Sequence, residues 1–162
     1  MRAISVFLLL AACLASGQQS RIVTDAMVNE ITKSALLIDT HNDVTSRTVE
    51  GFDISKAATD GHTDLPRLRA GGVGAVFFAA YVAADYAKTH SSANRALNMI
   101  DTVRHDIVAA HPKDFQFATS AAEIEAAHRQ GKIAALIGIE GGQPLKTARA
   151  CCATSMHWAC AT

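Results

Sequence analysis

The sequence predicts an α/β fold built on a parallel sheet, of the kind that closes into a β/α (TIM-type) barrel, and three observations predict it. Three continuous apolar runs, at 35–38, 73–82 and 132–139, read as strands buried on both faces. Helical spacings lie between the runs, which is the alternation expected of a parallel sheet with crossover helices. Each run ends in a polar or glycine-bearing cluster, and barrel enzymes keep their chemistry at the C-terminal ends of their strands. Composition agrees with one globular domain: 49% of residues are hydrophobic, and 15 Lys and Arg balance 15 Asp and Glu. That balance leaves no basic surplus for a phosphate backbone or an anionic membrane surface, so nucleic acid is not an expected partner.

The elements follow in order. Met1-Arg2, an apolar run from Ile4 to Leu14 and then Ser16-Gly17-Gln18 have the layout of an export signal, assigned to 1–17, and the run is too short to span a bilayer as a mature helix. Within it Leu10-Ala11-Ala12-Cys13 resembles a lipobox, which would lipidate Cys13 and attach the chain to a membrane; cleavage near Ala15 to Gly17 is the alternative. An exported location is expected, either periplasmic, extracellular or lipid-anchored. Asp25 to Ser34 carries Met27, Val28 and Ile31 at helical spacing, capped by Thr24 or Asp25. The first strand run then stops abruptly in Asp39-Thr40-His41-Asn42-Asp43. Asp64 to Arg69 reads as a short capped helix over Pro66, stopped by Gly71-Gly72, and the second strand follows. Ser91 or Ser92 opens a helix through Ala110 with Ala96, Ile100, Val103 and Ile107 on one face, ended by Pro112. Ser120-Ala121-Ala122-Glu123 has capping-box form and opens a helix that closes at Gly131, ahead of the third strand and Glu140-Gly141-Gly142.

The groups able to do chemistry sit at those strand ends. His41 and Asp43 are two apart, so in extended geometry their side chains share a side, where a ring nitrogen and a carboxylate oxygen can hold one cation. Glu140 ends another strand beside two glycines, which leave room for a metal or a substrate, and a carboxylate there could bridge two metals. On spacing alone, a His-x-Asp pair at a strand end is more often a cap or a hydrogen-bonded turn. His62-x-Asp64 is a second pair of the same form, and Asp64 is assigned to cap the helix over Pro66. His90, His105, His111 and His128 are expected on the surface, with no carboxylate or Cys at ligand spacing.

Three segments carry a family resemblance. Leu37-Ile38-Asp39-Thr40-His41-Asn42-Asp43, then His62-Thr63-Asp64-Leu65-Pro66-Arg67-Leu68-Arg69-Ala70-Gly71-Gly72-Val73-Gly74-Ala75, then Gly138-Ile139-Glu140-Gly141-Gly142 resemble, in order and spacing, motifs of the membrane (renal-type) dipeptidases. Related amidohydrolases usually open with His-x-His, so His41-x-Asp43 favours the dipeptidase branch. The resemblance implies a β/α barrel holding two zinc ions, Zn2+, that activate a water for attack on the carbonyl of a dipeptide. It implies that His41 and Asp43 ligate the first zinc and that Glu140 bridges both. A homodimer is open for a full-length chain.

The chain also departs from that pattern. Val76 and Phe78 stand where relatives tend to have Gln and Trp, and Gln143 where a His is usual, which bears on substrate contacts rather than on metal binding. The sequence is expected to hold three of the roughly eight strands of a barrel, with 18–145 as the barrel portion and the remaining zinc ligands lying beyond it, so that this chain would be an inactive fragment. From Lys146 onward periodicity is lost, while Cys151, Cys152 and Cys160 and the only Trp crowd together. Restoring one nucleotide between the codons of Leu145 and Lys146 permits Leu-Glu-Asn-Ser and, further on, a Leu-Gly-hydrophobic-Arg-Tyr stretch similar to the family's. A frameshifted tail over 146–162 is therefore expected, without function for its Cys residues or His157. Two rival readings are a non-catalytic exported fragment or binding module, and another amide or ester metallohydrolase of the same barrel superfamily.

Overall fold

The computed structural model describes residues 22–141; the expected export signal with Cys13 and the expected tail over 146–162 lie outside them. The described residues divide into two units, 22–31 and 32–141. Helix α1 (Asp25–Ser34) begins in the first of these. Its cap is Thr24, whose hydroxyl accepts from the Met27 N–H at 3.3 Å.

Among the described residues of the second unit four strands form one wholly parallel sheet: β1 (Leu37–Asn42), β2 (Val73–Tyr81), β3 (Phe115–Phe117) and β4 (Ile133–Glu140). Their spatial order is β1-β2-β4-β3. The sequence expectation of three strands missed β3, because three residues, Phe-Gln-Phe, are too few to show any period. The order is also not that of the chain. β4 turns back to pair with β2 along seven residue pairs, and β3 lies outside it beside Ile133, Ala134 and Ala135 only. The remainder of β4, from Leu136 to Glu140, has no strand on that side among the described residues.

Helices cover the sheet. α5 (Ser92–Thr102) runs straight into a π-helical stretch, Val103–Ala109. The predicted face is correct in the main: Ala96, Val103 and Ile107 are buried, joined by Met99, whereas Ile100 is only half-buried. Val103 and Ile107 pack with Val76, Phe78, Phe115, Ile133 and Ala135. α6 (Ala121–Arg129) brings Ile124 and Ala127 against Ala75, Ala134 and Leu136. Neighbouring strand residues face opposite ways, so these two clusters lie on opposite faces of the sheet. α6 starts as the sequence suggests, with the Ser120 hydroxyl accepting from the Glu123 N–H at 3.3 Å. The return half of the box is displaced by one residue, since the Glu123 carboxylate accepts from the Thr119 N–H at 2.6 Å and the Thr119 hydroxyl at 2.9 Å. Those bonds, the Thr119 N–H foremost, lower the Glu123 carboxyl below its usual range.

Two short helices, α2 (Thr45–Thr48) and α4 (Asp85–Lys88), follow β1 and β2 and were not foreseen; four residues show no helical face. Between them α3 (Leu65–Ala70) begins at Asp64 as expected. β1 differs most from its sequence reading. It starts at Leu37 and extends through Asn42, and Leu37 and Ile38 remain 42% and 36% exposed, so it is not buried on both faces. As the outer strand on that side it has a neighbour in β2 alone among the described residues.

Candidate metal centre

Three of the four strands deliver the site or its walls. β1 ends in Asn42, and a turn at Asp43 and Val44 leads into α2. Asp43 therefore lies just past the strand rather than in it, yet the turn keeps it near His41. β4 brings Glu140, paired across the ladder with Tyr81 of β2. The three sequence-predicted residues meet: His41 Nε2 is 3.1 Å from a Glu140 carboxylate oxygen and 3.4 Å from one of Asp43. One ligand atom from each lies within 4.8 Å of the others, and all three side chains are about half exposed or more, at 52%, 63% and 48% for His41, Asp43 and Glu140.

The donor set fits a zinc ion, and so do the two spacings made by His41. A neutral imidazole nitrogen and carboxylate oxygens are ordinary zinc ligands, and a tetrahedral ion with bonds of about 2.0–2.1 Å places neighbouring ligand atoms about 3.3 Å apart. The two contacts made by Nε2 fall on either side of that spacing. The set supplies one neutral and two anionic ligands, and the surrounding water offers further positions.

A cavity of about 420 Å3 adjoins His41 and Glu140, lined also by Thr40, Phe77, Ala79, Gly138, Ile139 and Gly141. A second recess of about 330 Å3 shares His41 with the first, takes in Asp43 and continues over Arg47, Gly61, His62 and Thr63. Sequence reading assigned no role to Phe77, Ala79 or Gly138. Strand alternation was the available signal, since it sets 77 and 79 on the face opposite 76 and 78, and 138 on the face of 140. The same rule corrects the expectation for Val76 and Phe78. Both are completely buried in the core, so their departure from the family pattern is a packing difference and not one of cavity wall.

The second His-x-Asp pair is used differently. Asp64 is buried, and its carboxylate accepts from the Ala58 N–H at 3.0 Å, the Arg67 N–H at 2.8 Å and Arg67 Nε at 2.7 Å. These bonds, the Ala58 N–H foremost, outweigh burial and hold its carboxyl below the usual carboxylate range. The expected helix cap is thus what the structure contains. Two of the other histidines depart from expectation: His111 and His128 are half-buried. His105 does have a carboxylate at hand, Asp101 one turn earlier at 2.9 Å, as an exposed helical pair.

A family model for the membrane dipeptidases, Peptidase family M19, matches residues 25–156. This chain belongs to the membrane dipeptidase family. Dipeptidase ataJ of Aspergillus terreus is 37% identical over 118 residues, 65% of this chain and 28% of that protein. A crystallised dipeptidase described as a metallopeptidase of family M19 superposes with a TM-score of 0.58 at 26% identity, over 68% of this chain and 36% of its own. A metallopeptidase from Rhodobacter sphaeroides, crystallised with a phosphinate mimic of the dipeptide L-Ala-D-Ala, gives 0.56 at 25% identity, over 67% and 39%. The probable dipeptidase PvdM of Pseudomonas aeruginosa shares the fold, with a TM-score of 0.62 at 17% identity over 74% and 32%. The chain therefore spans about a quarter to two fifths of the length of these four proteins.

Proposed function

We propose that this chain carries the first-zinc half of a dipeptidase active site, set on the opening strands of a β/α barrel, and that the substrate is a dipeptide. The convergence of His41, Asp43 and Glu140 from two strand ends is the observation that carries this reading. His41 and Asp43 would ligate one zinc, and Glu140, with two carboxylate oxygens, would ligate it and reach a second. Bound zinc lowers the pKa of a water and polarises a carbonyl oxygen, which is the chemistry that peptide hydrolysis needs. The chain's own part is to bring one neutral and two anionic donors together at the mouth of a cavity. Phe77, Ala79 and Ile139 give that cavity an apolar wall, and Gly138 leaves space in it. Likeness to the protein crystallised with a mimic of L-Ala-D-Ala makes a small dipeptide of that kind the first substrate to assay.

The test is zinc binding by the chain, measured by competition with a chromophoric chelator, together with hydrolysis of L-Ala-D-Ala. Binding that disappears in His41→Ala and Glu140→Gln supports the reading. Binding that is unchanged by either substitution places the metal elsewhere and ends it. Zinc-dependent cleavage of an ester or simple amide with no cleavage of dipeptides would favour the wider class of barrel metallohydrolases.

A further inference from the structure

We infer that Asn42, acting with Asp39 and Thr63, is a positioning residue that locks the irregular end of β1 so that the ligand atoms of His41, Asp43 and Glu140 come within 4.8 Å of one another. The inference rests on the proposed metal reading of those three residues. It begins with the register of the sheet. Asp39 stands opposite Val76 and Asn42 opposite Phe78, so β1 advances three residues while β2 advances two. One extra residue is therefore accommodated around Thr40 and His41. A bulge of this kind turns side chains away from their regular alternation and frees backbone groups from the ladder.

A local hydrogen-bond network secures both consequences. The Asp39 carboxylate accepts from the His41 N–H at 3.1 Å, giving that backbone donor a partner on the irregular segment. The Asn42 amide nitrogen donates to the other Asp39 oxygen at 2.7 Å and to the Thr63 hydroxyl at 3.0 Å, while its oxygen accepts from the Val44 N–H at 3.1 Å. Both amide hydrogens and one lone pair of Asn42 are thereby engaged. Asn42 stands between the two ligands in the chain, and its bonds fix the backbone on either side of it: Asp39 before His41, Val44 after Asp43. Thr63 makes the anchor non-local. It precedes Asp64, which is buried and held by three donors, so the strand end is referenced to the start of α3 rather than to solvent. Holding two half-exposed side chains at metal-ligand spacing requires such support, because long-range attraction between exposed groups is weak.

The test uses the whole chain and reads zinc affinity by chelator competition, the absorption spectrum of the cobalt-substituted site, and the melting temperature of the metal-free protein. Thr63→Val keeps the branched shape and removes the acceptor; it is expected to weaken zinc binding about 10–100-fold, as outer-shell changes do, and to alter the cobalt spectrum. Thr63→Ser, which restores the hydroxyl, should bring back both affinity and spectrum. Asn42→Asp keeps the acceptor for the Val44 N–H and loses the donors, so it should weaken binding as Thr63→Val does even if the latter fails to fold. Affinities and spectra matching the parent in Thr63→Val and Asn42→Asp would overturn the inference. If the parent binds no zinc, the metal reading itself fails, and the His41 ring resonances of the metal-free protein decide the positioning role. A shift in Thr63→Val that Thr63→Ser abolishes supports it, and unchanged resonances overturn it.

Discussion

Two His-x-Asp pairs, twenty-one residues apart, look alike in the sequence and have opposite fates in the structure. His41 and Asp43 stand half exposed at a strand end with Glu140 between 3 and 4 Å from the imidazole. Asp64 is buried and saturated with donors, and His62 is left on the surface beside the second recess. The spacing is the same, and the difference lies in the residues next along the chain. After Asp64 come Leu65 and Pro66, which start a helix whose free N–H groups and whose Arg67 absorb the carboxylate. After Asp43 come Val44 and Thr45, where α2 begins without any side-chain cap, so the Asp43 carboxylate is not used up by its own backbone. A carboxylate is available for a cation only where local structure has not already claimed it.

That contrast can be broken or sharpened by substitution. The largest effect expected is on metal affinity: His41→Ala should weaken zinc binding by more than the roughly 10–100-fold typical of outer-shell changes, with little change in the melting temperature of the metal-free chain. Asp64→Ala should do the reverse, lowering the melting temperature by about 5–10 °C because the cap is lost and the Ala58 and Arg67 donors lose their acceptor. Acid titration of stability gives the next effect. Because hydrogen bonds lower the folded-state pKa of Asp64, its contribution is complete above the ordinary carboxylate range and is lost as pH falls. Asp53, lowered to about 2 chiefly by the Ser55 hydroxyl and Lys56, adds to the same acid limb. Urea midpoints measured from pH 5 downward should therefore fall in the parent and fall less steeply in Asp64→Asn. The smallest effect is expected at His62→Ala, which should move neither zinc affinity nor melting temperature, although the residue forms the same motif as His41.

Much of this was legible in the sequence, and the parts that were not share a cause. The long elements, α1, β2 and β4, announce themselves through periodicity or continuous apolar runs, and the caps at Asp64 and Ser120 through side chains that compete for backbone donors. β3 and the two four-residue helices carry no period to read. The inward return of β4 depends on pairing between segments distant in the chain, which no local pattern encodes. For the site, the sequence singles out His41, Asp43 and Glu140 as candidates, and their meeting is a property of the folded sheet. The network of Asp39, Asn42 and Thr63 was not identified, although all three lie in the family-like motifs, because a one-residue register shift appears only when two strands are laid side by side.

Gly138 has a consequence for how easily the cavity can be altered. A β-carbon built there meets no atom of the described residues within 4 Å, in contrast to Gly74, where it would come within 2.6 Å of Leu36 Cδ1 and 3.0 Å of His128 Nδ1. At Gly74 a β-carbon would push the ends of two side chains aside, whereas at Gly138 it would displace nothing described. Gly74→Ala should require Leu36 and His128 to shift, while Gly138→Ala should be tolerated by the sheet. The space beside Glu140 is then one that a β-carbon at 138 can enter without displacing a described neighbour.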